Sequence, residues 1–388
     1  MREQQTHILI VGGGLGGCAA ALAAAQAGCR VILTEESDWI GGQLTSQAVP
    51  PDEHGWIEQF GCTASYRRLR NQVRLYYQHL YPLSETARKL RYFNPGNGWV
   101  SPLCHEPRVA LAVLESMLAP YVSDERITIL REHVPIAADV EHNRVRNVTI
   151  RDLRSGNDLT IRADYFLDAT ELGALLPLTG TEYVTGFESQ HDTGEPSAPA
   201  EAQPHNTQAF SYCFALSHHA GEDHVIERPA HYDFWRTFVP QLSPAWPGPL
   251  LSWTITHPRL MTPHTYHFDP HNEPSVAFAG LWTYRRILAR DNFEPALASD
   301  LCLVNWPQTD YLLGDLADCD EIEREKHLAA AREQSRSLVY WLQTEASRPD
   351  GGAGWRGLKL RGDVTGSSDG LAKMPYIREP RRIKAEFT

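Results

Sequence analysis

The 388-residue sequence predicts an α/β fold, with a helix-wrapped parallel sheet followed by an α+β region. Three stretches carry that expectation. Residues 8–36 read ILIVGGGLGGCAAALAAAQAGCRVILTEE: a buried strand, a G-x-G-x-x-G turn, an alanine-rich helix, a second strand and an acidic end. Ile127, Ile129, Val134, Val140, Val145, Val148 and Ile150 alternate as a small antiparallel meander would. Tyr165–Phe166–Leu167–Asp168–Ala169–Thr170 is an apolar strand ending in a polar turn.

The first stretch is a dinucleotide-binding βαβ unit. The runs Ile8–Val11 and Val31–Leu33 suit buried parallel strands, which need apolar side chains on both faces. Gly12 lets the chain leave the strand sharply, Gly14 lets backbone approach a pyrophosphate, and Gly17 lets helix and sheet pack closely. Gly12, Gly14, Leu15, Gly16 and Gly17 thus form the expected pyrophosphate turn, facing the positive end of the helix. Glu35, 18 residues beyond Gly17, stands where a carboxylate accepts hydrogen bonds from an adenosine ribose, with Glu36 as the neighbouring alternative. A kinase reading fails: Ala19 replaces the required Val, and the H-R-D and D-F-G motifs are missing. The turn alone does not separate NAD from FAD.

The rest of the chain is laid out around this unit. Residues 1–48 and 106–176 are expected to form the nucleotide-binding domain, with a helix from Arg108 to Leu118. Residues 50–105, rich in Tyr, Arg and Pro, read as a helical excursion over the cofactor. In residues 177–345 Pro, His and Trp become frequent, and strands are predicted over Gln208–Leu216 and Ser275–Leu281. This substrate domain closes with a helix from about Asp320 to Glu345, with Asp320 and Glu323 at capping-box spacing and Leu338, Val339, Trp341 and Leu342 buried. The glycine-rich residues 346–370 read as loop, and 346–388 as a return toward the first domain.

Composition narrows the function classes. A content of 42% hydrophobic and 22% charged residues is that of a globular protein with room for two domains. A net charge of −12 disfavours nucleic acid and anionic membrane, leaving small molecules as the expected partners. The seven cysteines include no C-x-x-C pair, which argues for reduced thiols and against a dithiol mechanism. The apolar stretch 8–27 is explained by the glycine turn rather than by a leader peptide, and no run reaches the ~18 apolar residues of a membrane span. A cytoplasmic location is expected.

Beyond the glycine turn, GGQLTSQAVPPDEHGWIEQFGCTASYRRLRNQVRLYY, FLDATELGALLPLTGTEYVTGFES, LWTYRRIL and DGLAKMPYIREPRRI extend over nearly the whole chain. These runs resemble a bacterial family of FAD-dependent oxidoreductases within the glutathione-reductase-like superfamily, some of whose members carry the label xanthan lyase-like. The resemblance implies a Rossmann-like FAD/NAD(P)-binding domain with a three-layer ββα arrangement, plus an α+β substrate domain. It implies FAD as the cofactor, with Gly41, Gly42 and Gln43 as the glycine doublet after the ribose-binding Glu. It also implies adenine contact through the Val134 backbone, and Ala169 and Thr170 on the strand beneath the flavin. Three departures stand out. Gly173–Ala174 replaces the family's Gly-Asp, Pro380 replaces a Ser, and no glycine follows Gly370, so the C-terminal flavin-facing element is expected to be missing. An NAD-dependent dehydrogenase and a degenerate, inactive flavoprotein are the alternatives.

Catalytic signals are weaker, because in flavin chemistry the cofactor carries the electron pair and the protein supplies only an acid or base and orientation. Arg378, Arg381 and Arg382 fall where the terminal segment would meet the flavin, and suit a substrate carboxylate or the charge of reduced flavin. Arg285 and Arg286 share the ambiguity between substrate anchor and salt bridge. His264 is a candidate flavin-side base. The His264, His267 and His271 spacing matches no strong zinc pattern, so no metal is expected. Cys62, ahead of Arg67 and Arg68, reads either as an activated thiol or as a structural cysteine.

Overall fold

A computed structural model describes residues 2–271 and 280–384. A mixed α/β sheet forms its first layer. Strand β1 (Arg2–Val11) is paired in parallel with β2 (Val31–Glu35), which pairs in parallel with β3 (Ile127–Arg131). On its other side β1 pairs in parallel with β6 (Asp158–Asp168), and β5 (Arg144–Asp152) and β4 (His133–Glu141) continue the sheet antiparallel. The order is β3-β2-β1-β6-β5-β4. The chain therefore reverses its winding between β1 and β6, and the crevice at their carboxyl ends is where such sheets bind ligands.

Two sequence expectations change here. Ile127 and Ile129 lie in β3, a parallel strand, because alternation looks the same in any half-exposed strand; the meander is β4–β5–β6. The expected second β layer is not a separate sheet, since long β6 serves both β1 and β5. Even so, β4 starts next to the end of β2, where the Glu132 N–H donates to the Ser37 carbonyl at 3.1 Å.

Helices cover the sheet. Helix α1 (Leu15–Gln26) follows β1, and between β2 and β3 run α2 (Ala64–Leu80), the single turn α3 (Glu85–Arg88) and α4 (Pro107–Ser123). Thr63 caps α2 by accepting from the Tyr66 N–H at 3.2 Å, and Pro107 opens α4 with its preset φ. Leu69, Val73 and Tyr77 of α2 pack with Val109, Val113 and Leu114 of α4 in the core under the sheet. Under α2, Arg70 binds Glu53 and Glu58, and Arg74 binds Glu58, tying the helix to residues 53–58.

A second sheet is antiparallel. Its order is Arg286–Leu288, Leu301–Val304, Phe214–His218, Leu358–Leu360. The helix Glu321–Thr344 lies against it, capped by Asp320, which accepts from the Glu323 N–H at 2.8 Å, with Leu338, Val339, Trp341 and Leu342 buried as the sequence predicts. Trp253, Trp282, Trp306, Trp341 and Trp355 fill this aromatic-rich core.

Three boundaries differ from expectation. The strand predicted over Gln208–Leu216 is broken into Phe210–Ser211 and Phe214–His218, which belong to different sheets. Residues 275–279 of the strand predicted to end at Leu281 lie outside the described residues, and Leu281 itself begins a helical turn. The predicted loop 346–370 contains the edge strand Leu358–Leu360, whose pairing with Phe214–His218 is too long-range to be read from local pattern. Among the described residues, no helix is long and apolar enough to cross a membrane.

Candidate functional site

The glycine turn sits where the sheet reverses. Gly12 has a φ of +102°, and a Cβ there would overlap the carbonyl of Ala169 at the end of β6. A Cβ on Gly17 would overlap the Gly12 carbonyl oxygen, so α1 touches its own strand through glycine alone. A Cβ on Gly16 meets nothing within 4 Å, so the first turn of α1 is open. Gly14 caps that helix with no side-chain hydrogen bond and no acid in the first turn, which leaves its positive end to an external anion.

The segment after β2 closes this cradle. Gly41 N–H donates to the Gly13 carbonyl at 2.7 Å, and Gly14 and Gly41 pair as a parallel bridge. Both members of the doublet have positive φ, +109° at Gly41 and +52° at Gly42, and a Cβ on Gly42 would lie 3.0 Å from Gly14 Cα. Gln43 follows, its side-chain amide 3.5 Å from the Pro50 carbonyl. Across the crevice the Asp168 carboxylate holds the turn after β6, accepting from Thr170 N–H and Oγ1 and from Leu175 N–H at 2.7–3.0 Å. Gly12, Gly14, Gly41, Gly42, Ala169 and Thr170 therefore converge on one cleft.

Three carboxylates line it. Glu35 is buried at the end of β2, accepting from Gly13 N–H at 3.1 Å and from Ser37 N–H and Oγ at 2.8 Å. Burial pushes its carboxyl up to about 7, against the stabilising Ser37 hydrogen bonds. Glu36 is exposed, and the charges of Arg324, Glu321 and Glu325 on the long helix act on it, Arg324 favouring its charged form and the two glutamates opposing it. The third, Glu171, directly follows Asp-Ala-Thr and was not singled out from sequence. Its Oε1 lies 3.1 Å from the position a Gly14 Cβ would take and 2.9 Å from that of Gly42. Its side chain meets solvent, yet the protein packed around the cleft and the charge of Glu36 raise its carboxyl, while a hydrogen bond with Gln47 counteracts.

The remaining candidates are spread out. Val134, in β4, pairs with Arg151 two residues past the contact of Glu132 with Ser37. Arg378 donates to Ala209 O, Ser211 Oγ, Asn305 Oδ1 and Asp310 Oδ1. Arg381 binds Asp318 at 2.7 Å and Leu172 O at 2.9 Å, and packs on Gly173. Arg382 binds Glu379 and the Gly186 carbonyl. His264 is exposed on the hairpin Thr254–Thr256/Pro263–Thr265, its ring near His257 and Tyr266. Cys62 is half-buried, and the Arg67 guanidinium is committed to the Ile57 carbonyl. Among the described residues no group of three metal-ligating side chains occurs. A separate cavity of about 460 Å³ is lined by Tyr311, Asp315, Asp318, Glu323 and His327, where Tyr311 Oη and His327 Nδ1 are 2.9 Å apart.

The cradle fits a dinucleotide: glycine backbone on both sides, a helix N-terminus with no acid in its first turn, and a buried carboxylate, Glu35, at the end of β2. A family model described as FAD dependent oxidoreductase matches residues 7–388. The chain belongs to the FAD-dependent oxidoreductase family. Its cofactor is FAD. Solved structures similar to this family member share little sequence identity with it. The flavin-dependent monooxygenase PieE, solved with FAD and substrate, is 13% identical with a TM-score of 0.34, over 100% of this chain and 52% of that one. FrdA of E. coli quinol fumarate reductase is 17% identical with a TM-score of 0.27, over 44% and 33% of the two chains. L-proline dehydrogenase from P. horikoshii is 15% identical with a TM-score of 0.25, over 49% and 25%. The chain thus spans between a quarter and about half of these proteins. No curated protein matches the sequence.

Proposed function

We propose that the chain binds FAD noncovalently and passes an electron pair between that flavin and a small organic substrate. The observation that carries the reading is the meeting of Gly12, Gly14 and Gly17 with Gly41, Gly42 and Ala169 at the β1/β6 reversal. When bound, FAD supplies the redox chemistry; the protein supplies position and electrostatics. Gly14 and the first turn of α1 would hold the pyrophosphate, and Glu35 would accept from the adenosine ribose while keeping the Gly13 N–H in place. The start of β4, at Val134, would border the adenine.

The direction of the flavin half follows from strand order. With the adenosine over β2 and the pyrophosphate over β1, the rest of an extended cofactor runs toward β6 and residues 42–52. That is where the second sheet and the strand-like residues 371–378 meet the nucleotide-binding part: Met374 N–H donates to the Ser46 carbonyl at 3.0 Å, and Tyr376 pairs with Ser211. The substrate is placed at this junction. Seven free thiols and a net charge of −12 support a reducing, cytoplasmic setting and a small-molecule rather than nucleic-acid or membrane partner.

The test is anaerobic mixing of the FAD-loaded chain with small organic donors and, after chemical reduction, with acceptors. Bleaching or return of the visible flavin bands is expected with one such class. Flavin that is bound yet exchanges electrons with neither donors nor acceptors contradicts the proposal.

A further inference from the structure

Arg285 differs from the other buried arginines. It precedes the strand Arg286–Leu288, and neighbouring strand residues point to opposite faces. Arg286 turns inward, its Nε donating to the Gly96 carbonyl at 2.7 Å and one Nη to the Asp300 carboxylate at 3.0 Å. Arg285 turns to the other side, where one Nη reaches the Asp52 carboxylate at a long 3.3 Å. Its side chain is 12% exposed, and its Nε, shielded from water, has no hydrogen-bond acceptor. Arg378, by contrast, meets four acceptors and Arg70 both oxygens of two carboxylates. A guanidinium offers five donors, and leaving buried ones unmet is unfavourable unless something else satisfies them.

Its location is the junction just described. Asp52 ends the segment that starts at the Gly42 doublet, and Tyr376 lies one step beyond the Met374–Ser46 contact. Arg378 lies over the Tyr376 ring at 4.8 Å, and the charges of Asp52, Arg285 and Arg378 all act on the Tyr376 hydroxyl, so these groups belong to one neighbourhood. Asp52 itself is half open to water, with 48% of its side chain exposed, and can be displaced.

We infer that Arg285 is the substrate anchor and that the substrate is a small organic carboxylate, whose two oxygens replace Asp52 on the guanidinium fork. The inference rests on the proposed flavin-side location of the substrate. A carboxylate matches the fork's planar, bidentate geometry, and Asp52, a weakly held carboxylate, is its internal stand-in. Arg378, Arg381 and Arg382 are occupied by the protein's own acceptors and position the surrounding segments instead.

The experiment is calorimetric titration of the full chain, with and without added FAD, using benzoate and succinate and their uncharged amides as probes. The wild type is expected to bind at least one carboxylate more tightly than its amide. Arg285→Ala is expected to lose roughly tenfold or more of that affinity with FAD content unchanged. Asp52→Asn, which frees the fork, is expected to bind the carboxylate severalfold more tightly, a gain that misfolding cannot imitate. Carboxylate binding that is absent from the wild type, or indifferent to both substitutions, overturns the inference. Failure to take up FAD with the carboxylate response intact overturns the flavin reading and leaves the anchor standing.

Discussion

At the residue scale, Glu35 and Glu171 carry opposite consequences for the cofactor. Glu35 braces the glycine turn through Gly13 and is the proposed acceptor for the ribose, so Glu35→Ala is expected to weaken FAD binding by ~1–3 kcal/mol, the usual loss for a charged hydrogen-bond partner. Fluorescence titration of FAD checks this, and unchanged affinity would remove Glu35 from the site. Glu35 also links stability to pH. Its folded-state value of about 7 is above the ordinary 4.5, so between those values the folded chain holds more protons than the unfolded one. The contribution of Glu35 to stability therefore falls as pH rises from about 4.5 to about 7, and Glu35→Gln should flatten that part of a denaturant-unfolding profile.

Glu171 stands over Gly14 and Gly42, where a pyrophosphate brings further negative charge. The cofactor favours its protonated form. FAD affinity is expected to rise as pH falls from neutrality toward the ordinary carboxylate value of 4.5, and Glu171→Gln should tighten binding at neutral pH by about 1 kcal/mol or more and remove much of the slope. Equal pH slopes in the two proteins would show that Glu171 does not meet the phosphates.

At the element scale, the β1–α1 contact and the α2 ion-pair network make separate predictions. Gly17→Ala drives a methyl into the Gly12 carbonyl and should abolish FAD binding or folding, whereas Gly16→Ala enters open space, gains up to ~1 kcal/mol of helix propensity and should leave FAD binding within a few-fold. Thermal unfolding of the pair distinguishes them. Arg70→Ala takes the guanidinium from buried Glu53 beneath α2, while Glu58 keeps Arg74, and is expected to destabilise the chain by ~3–5 kcal/mol in urea unfolding.

These elements also mark how far sequence could reach. The cradle was legible because its glycines answer to local sterics, and each steric demand recurs at a fixed spacing along one strand–turn–helix. The end of β2 was legible for the same reason. Strand β3 was misplaced because an edge strand with one wet face alternates whether its partner is parallel or antiparallel. The edge strand Leu358–Leu360 was hidden among glycines, since its partner lies over 130 residues earlier in sequence. Arginines were least legible. Arg285 and Arg286 are adjacent and chemically identical, and only the fold gives one a carbonyl and a carboxylate at 2.7–3.0 Å and the other a single carboxylate at 3.3 Å. Glu171 had a signal, its place directly after Asp-Ala-Thr, but its approach to Gly14 depends on the crevice between β1 and β6.

At the scale of the whole molecule, the core under the first sheet and the aromatic-rich core of the second share one chain and meet near residues 42–52. The first core already includes Ala215, Ile287 and Leu303 from the second sheet, so the sheets are packed together rather than tethered. Cofactor that binds at this junction stabilises only the folded chain, so the unfolding temperature should rise with FAD concentration. The most direct measurement is the visible absorption spectrum of the purified chain, followed by analysis of what heat denaturation releases. A two-banded flavin spectrum is expected, present on purification or after addition of FAD, with intact FAD released in proportion to protein. A colourless chain that takes up no FAD, and whose unfolding temperature FAD does not raise, would contradict it.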